Sequence, residues 1–157
     1  MSKITTFLTF NDRAEEAVDF YTKIFKRSKV NAKTYYGDSG PMPKGLLMTA
    51  DFELDGERFV ALNGGSSFTF SLGISLMVNC ETQADVDYYW SKLVEGGGAH
   101  NVCGWLTDKF GVAWQVVPVQ LMQLLTSKDK PQFERVMNAM MQMTKIEIAG
   151  IEAAARG

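Results

Sequence analysis

The chain has 157 residues, with 16 Lys and Arg against 18 Asp and Glu, which gives a net charge of −2 and a pI near 5.4. A 46% hydrophobic and 22% charged composition that includes ten Phe, five Tyr and three Trp supplies a packed core and excludes a disordered chain. No Lys/Arg cluster points to nucleic acid, no apolar run is long enough for a membrane helix, and Met1-Ser2-Lys3-Ile4-Thr5-Thr6 opens no signal peptide, so a cytoplasmic protein is expected.

Ile4 to Phe10 is β-rich and reads as a strand. Asn11-Asp12 then offers a helix cap, and Ala14, Ala17, Val18, Tyr21, Ile24 and Phe25 follow at the spacing of an amphipathic helix. Ser28 to Tyr36 reads as a strand, and Gly37 to Pro43 as a loop. Leu46 to Leu54 and Glu57 to Leu62 read as two strands joined at Asp55-Gly56, a strong hairpin signal because Gly accepts positive φ.

The order then begins again. Leu72 to Val78 reads as a strand, and Thr82-Gln83-Ala84-Asp85 starts a helix that runs to Leu93 and stops at Gly96-Gly97-Gly98. His100 to Cys103 forms a short, weak strand. Trp105-Leu106 and Val112 to Val117 are strands around the turn Asp108-Lys109-Phe110-Gly111. Val18-Asp19-Phe20-Tyr21 matches Val86-Asp87-Tyr88-Tyr89 (18 to 86, an offset of 68), inside the same element of two similarly ordered halves. That coincidence of sequence and order points to a tandem repeat. Beyond Pro118 lie three helical stretches: Val119 to Leu125, Pro131 to Met143 with Ser127 and Asp129 near its start, and a last helix that reaches Ala155. The spacing of Thr144 and Glu147 predicts a capping box for the last one. The Met cluster (Met137, Met140, Met141, Met143) reads as adaptable core or as an interface.

Chemistry-bearing residues are few. Cys80 and Cys103 are expected to be free thiols in a cytoplasmic protein. His100 is the one histidine, so a His-rich zinc site within one chain is excluded, and its Gly-rich surroundings read as an exposed loop. Trp105 and Trp114 could line a pocket or pack in the core. Asp51, Glu53 and Glu57 are the carboxylates available as a base in the first half, with nothing to set them apart from surface carboxylates. No Gly-rich turn leads from a strand into a helix, the feature that seats a methyl donor in doubly wound sheets, because Asn63-Gly64-Gly65-Ser66 precedes no helical pattern.

Asn63-Gly64-Gly65, Cys80-Glu81-Thr82, Tyr88-Tyr89-Trp90, Cys103-Gly104-Trp105, Asp108 to Pro118 and the tail Ala139 to Ala149 resemble the PhnB-like branch of the vicinal oxygen chelate superfamily. Its relatives include glyoxalases, bleomycin-resistance proteins and extradiol dioxygenases, and the branch often carries the label 3-demethylubiquinone-9 3-methyltransferase. The resemblance runs over about residues 3 to 156. It implies an α+β fold of two tandem βαβββ modules with curled, mixed sheets, followed by C-terminal helices: module one over 3–65, module two over 70–118 and a helical segment over 119–157. It also implies a homodimer, for which Met140 in the Met-rich tail is a plausible contact.

In metal-dependent members, ligands such as His and Glu come from the first and last strands of each module. The matching positions here are Thr5 or Thr6, Ser75 and Gln115, neutral oxygens that hold a divalent cation weakly, so neither metal nor cofactor is expected. The resemblance places Gln115 in the cleft between the modules, and Asn63 closes the matching strand of module one. The expected ligand-binding set is therefore Gln115, Asn63, Trp105, Trp114, Ser75 and Thr5. The expected function is metal-free binding of a small organic molecule in that cleft. The alternatives are an enzyme on a small organic substrate, of methyltransferase or of metal-dependent lyase, isomerase or dioxygenase type, and a structural dimer with a vestigial cleft.

Overall fold

A computed structural model describes residues 2–157, and the chain divides after Thr69 into two compact units. The first contains β1 (Thr6–Phe10), α1 (Ala14–Ile24), β2 (Ser28–Tyr35), β3 (Leu47–Leu54) and β4 (Glu57–Asn63). Its sheet runs β1-β4-β3-β2, with β1 parallel to β4 and the other pairs antiparallel. Leu8, Phe10, Ala50, Phe52, Phe59 and Ala61 share one face by register and are buried. The apolar stripe of α1 (Ala14, Ala17, Val18, Tyr21, Ile24) is buried as well, and α1 packs on β3 and β4. The β3–β4 connection is the two-residue turn Asp55-Gly56, with φ of 50° and 87°, a left-handed pair whose twist matches that of the strands.

The cap of α1 does not come from Asn11-Asp12. Arg13 occupies the cap position, its side chain turned to Glu16 and making no cap bond, and the Ala14 N–H donates instead to Asn63 Oδ1 at 2.8 Å. Asn63 is fully buried, and its Nδ2 donates to the Leu47 carbonyl at 3.0 Å. A residue at the end of β4 thus satisfies one of the orphan donors that every helix start leaves.

The second unit repeats the plan with β5 (Ser75–Cys80), α2 (Gln83–Lys92), β6 (Ala99–His100), β7 (Trp105–Thr107) and β8 (Ala113–Pro118), in the sheet order β5-β8-β7-β6. β5 starts three residues later than expected because Ser71 to Ile74 forms a turn, closed by the Gly73 N–H donating to Ser71 Oγ at 3.0 Å. α2 starts where the sequence predicts and carries a local cap: Thr82 Oγ1 accepts from the Asp85 N–H, and the Asp85 carboxylate accepts from the Thr82 N–H.

The tail adds α3 (Val119–Leu125), α4 (Lys130–Met141) and α5 (Ile148–Arg156). They close over a core of Val117, Leu121, Val136, Ile146 and Ile151, with Met140 and Met143 packed against it. Met140 is therefore a contact of this core and a poor probe of dimerisation, whereas Met141 is 61% exposed. The Thr144–Glu147 capping box does not form. α5 begins only at Ile148, and Glu147 in the cap position makes no side-chain cap bond. The Thr144 carbonyl accepts from the Gly104 N–H at 2.8 Å, which holds Thr144 in the connection. The cap comes from α2: Gln83 Oε1 accepts from the Ile148 N–H at 2.8 Å, and its Nε2 donates to the Ile146 carbonyl.

Candidate functional site

Side chains alternate across a strand, so one fixed point assigns both faces of the second sheet. The His100 ring stacks on Trp90 of α2 with centroids 4.1 Å apart, and its Nε2 lies 2.7 Å from the Trp90 carbonyl. A carbonyl only accepts, so Nε2 carries the proton of that bond. His100 pairs with Leu106, and Leu106 with Trp114, so this row faces α2. The adjacent row, Trp105–Gln115–Met77, faces away from it, as do Thr107, Ala113 and Ser75.

Three of the expected site residues meet on this open face. Gln115 Nε2 donates to Ser75 Oγ at 2.8 Å. Trp105 sits directly across from Gln115 on β7, and Met77 directly across on β5. Ser75, Gln115 and Trp105 are half-buried, while Met77 is 41% exposed. A cavity of about 110 Å³ borders Trp105 and Thr107 on the β6 side, with Leu72, Ala99 and Asn101 in its lining. Gln115 keeps a second N–H and its carbonyl oxygen beyond the Ser75 bond. Met77 and Thr107 were missed from the sequence. The i+2 relation of Met77 to Ser75 was the signal available, but it becomes visible only once β5 starts at Ser75.

The other expected residues lie elsewhere. Asn63 is on the α1 side of its sheet, fully buried, with both ends of its amide bonded within the protein, so it caps a helix and presents nothing to a ligand. Trp114 is on the α2 side and 3% exposed. Its indole N–H donates to Asp108 Oδ2 at 2.9 Å, while Asp108 Oδ1 accepts from the Phe110 and Val112 N–H groups. Asp108 and Trp114 thus pin the β7–β8 turn, and neither lines the open face. Thr5 belongs to the first unit, one residue ahead of β1.

The open face of the first unit differs in charge. Asp51 accepts from Arg58 Nε at 3.0 Å and from Asn31 Nδ2 at 3.1 Å, and Asn31 also donates to Glu53. The Arg58 guanidinium, with help from Asn31, holds the Asp51 carboxyl below its usual range, which makes it a weaker base. Both cysteines are free thiols. Burial pushes Cys80 up to about 12, so it stays protonated and unreactive at neutral pH. Cys103, with φ of 57°, and Gly104, with φ of 80°, form the left-handed pair of the β6–β7 turn, and the Cys103 thiol reaches the Met140 carbonyl at 3.6 Å.

The family model of the 3-demethylubiquinone-9 3-methyltransferases matches residues 2–117. The chain is 37% identical to the PhnB protein of Bacillus cereus, which bears the same methyltransferase description; the match covers 74% of this chain and 99% of that one, with a TM-score of 0.68. The chain belongs to this PhnB-like family. A Pseudomonas aeruginosa protein is 24% identical over 75% of this chain and 98% of its own, with a TM-score of 0.63. The fosfomycin resistance protein FosX of Listeria monocytogenes shares the fold at 12% identity, over 75% of this chain and 93% of its own, with a TM-score of 0.50. A glyoxalase/bleomycin resistance protein of Albidiferax ferrireducens shares the fold too, at 14% identity over 74% of this chain and 98% of its own, with a TM-score of 0.50. No curated protein matches the chain. The family match ends at residue 117, so the tail, which was expected to share the resemblance, lies beyond it.

The residues that the resemblance matches to metal ligands do not fit a divalent cation. Ser75 and Gln115 are neutral and bonded to each other, and among the described residues no group of three or more His, Cys, Asp or Glu side chains converges. The family label is likewise not matched by a methyl-donor turn, because Gly64 and Gly65 lead into no helix before β5. No described helix is long and apolar enough to cross a membrane.

Proposed function

We propose that this PhnB-like protein binds a small, neutral organic molecule on the open face of its second unit, without a metal, in the cytoplasm. The observation that carries the reading is the Ser75–Gln115 pair beside Trp105 on a sheet face whose rows bear no charge. The amide of Gln115 offers a donor and an acceptor, Trp105 an aromatic wall and Met77 an adaptable apolar contact. A flat molecule with a carbonyl or hydroxyl oxygen suits this set better than an ion does. None of these side chains is a base at neutral pH, which favours binding over proton transfer.

Acetophenone, an aromatic ring with one carbonyl, is the simplest probe. Saturation-transfer NMR on the full chain should show it bound, and Gln115→Ala should weaken it by about threefold to tenfold. Affinity that is blind to Gln115→Ala would remove the site. The same reading includes a homodimer, supported by the exposed Ile4 and Phe7 beside the β1 edge and by the exposed Leu72 and Ile74 ahead of β5. Native mass spectrometry should then give twice 17.5 kDa, and a monomer at micromolar concentration would discard that part.

A further inference from the structure

We propose that the C-terminal helices form an end wall on this open face, next to Gln115, and so limit the length of ligand it accepts. The inference rests on the small-molecule reading above. Ala113, Gln115 and Val117 make one row along β8, turned away from α2. Gln115 is half-buried, but Val117, two residues further, is only 4% exposed. Val117 is covered by the tail, where it packs with Leu121, Val136, Ile146 and Ile151. Two residues of strand span about 7 Å, so the wall stands roughly one side-chain row from the Gln115 amide. The end of α4 packs on the cluster that covers Val117, through Met140 and, just beyond the helix, Met143, and the Met140 carbonyl lies 3.6 Å from the Cys103 thiol.

The wall is held from two sides, by the β6–β7 turn and by α2. The Cys103 and Gly104 N–H groups donate to the Met143 and Thr144 carbonyls at 2.9 and 2.8 Å. Gln83 bridges the Ile146 carbonyl and the Ile148 N–H, and Lys145 pairs with Asp87 at 2.8 Å. Gly104 could not carry a side chain, because a Cβ there would sit 2.7 Å from the Val116 carbonyl and 3.2 Å from Ile146 Cγ1. The wall is also an addition to the family plan. The family model ends at residue 117, and the Bacillus cereus relative, matched over 99% of its length, leaves about a quarter of this chain without a counterpart.

The test uses straight-chain phenyl ketones, from acetophenone through butyrophenone to octanophenone, with affinities measured by ligand-observed NMR on the full chain. The wild-type protein should lose about tenfold between butyrophenone and octanophenone, the scale by which a filled pocket rejects added methylenes. Met140→Ala should recover most of that loss and leave acetophenone unchanged. Met143→Ala, which trims the same wall, serves if Met140→Ala does not fold. The wall is overturned if acetophenone binding depends on Gln115 while octanophenone binds as tightly as butyrophenone, or if trimming leaves the length profile as it was. If acetophenone does not bind, or binds regardless of Gln115→Ala, the site and its wall fall together.

Discussion

The two units share one plan and solve the same problems by different means. Each lays a helix on one face of a four-stranded sheet and turns the other face away from it. In the first unit the face turned from α1 carries a charged cluster of Asp51, Arg58, Asn31 and Glu53, whose polar groups engage one another, beside the apolar row of Phe7 and Val60. The matching face of the second is neutral, and its Gln115–Ser75 pair has amide groups to spare. The helices differ too: α2 is capped by its neighbour Thr82, while α1 borrows Asn63 from a strand that ends 49 residues away.

The sharpest break in this comparison is at the caps. Asn63→Ala leaves the Ala14 N–H and the Leu47 carbonyl buried without partners, so it should cost about 2–4 kcal/mol. Thr82→Ala removes an exposed local cap and should cost about 1 kcal/mol. Urea denaturation of both variants measures the gap, and equal losses would mean that Asn63 is not the cap described.

The tail offers a smaller contrast. Gln83→Ala should lower stability by about 1 kcal/mol, because it strips α5 of its cap, whereas Thr144→Ala should change it by only a few tenths. Thermal unfolding separates the two, and the reverse order would restore the Thr144–Glu147 capping box.

The smallest effect concerns the charged face. Asp51 is held low by Arg58, so its ion pair stabilises the fold above about pH 4 and fades as pH falls through the lowered folded value. Arg58→Gln should therefore lower the melting temperature slightly at neutral pH, with the difference closing in acid. A difference that persists at low pH would place the Arg58 contribution outside this pair.

Elements with local signals were legible from the residues. The apolar spacing of α1, the Asp55-Gly56 turn and the helix start at Thr82 to Asp85 each depend on neighbours within a few positions, and each appears where it was read. The repeat was legible because Val18 and Val86 answer the same packing demand, and both are fully buried. Of the residues expected at the site, Ser75, Gln115 and Trp105 share one face, while Trp114, nine positions from Trp105, points to the opposite one. A shift of one residue in a strand reverses a side chain's face, so two tryptophans of equal promise in the sequence have opposite fates.

What the sequence determined by itself was therefore the order of elements, the duplicated plan and the family, because periodicity, turn chemistry and short motifs are properties of contiguous residues. The tertiary structure alone decided which distant side chain completes each helix start, which face each aromatic occupies and where the tail comes to rest. An orphan N–H is satisfied by whichever acceptor the folded chain brings within 3 Å or so, and that acceptor can lie anywhere in the sequence. The Thr144–Glu147 pattern shows the limit: the motif is present, but the Gly104 N–H claims the Thr144 carbonyl, and the helix starts beyond it under the amide of Gln83.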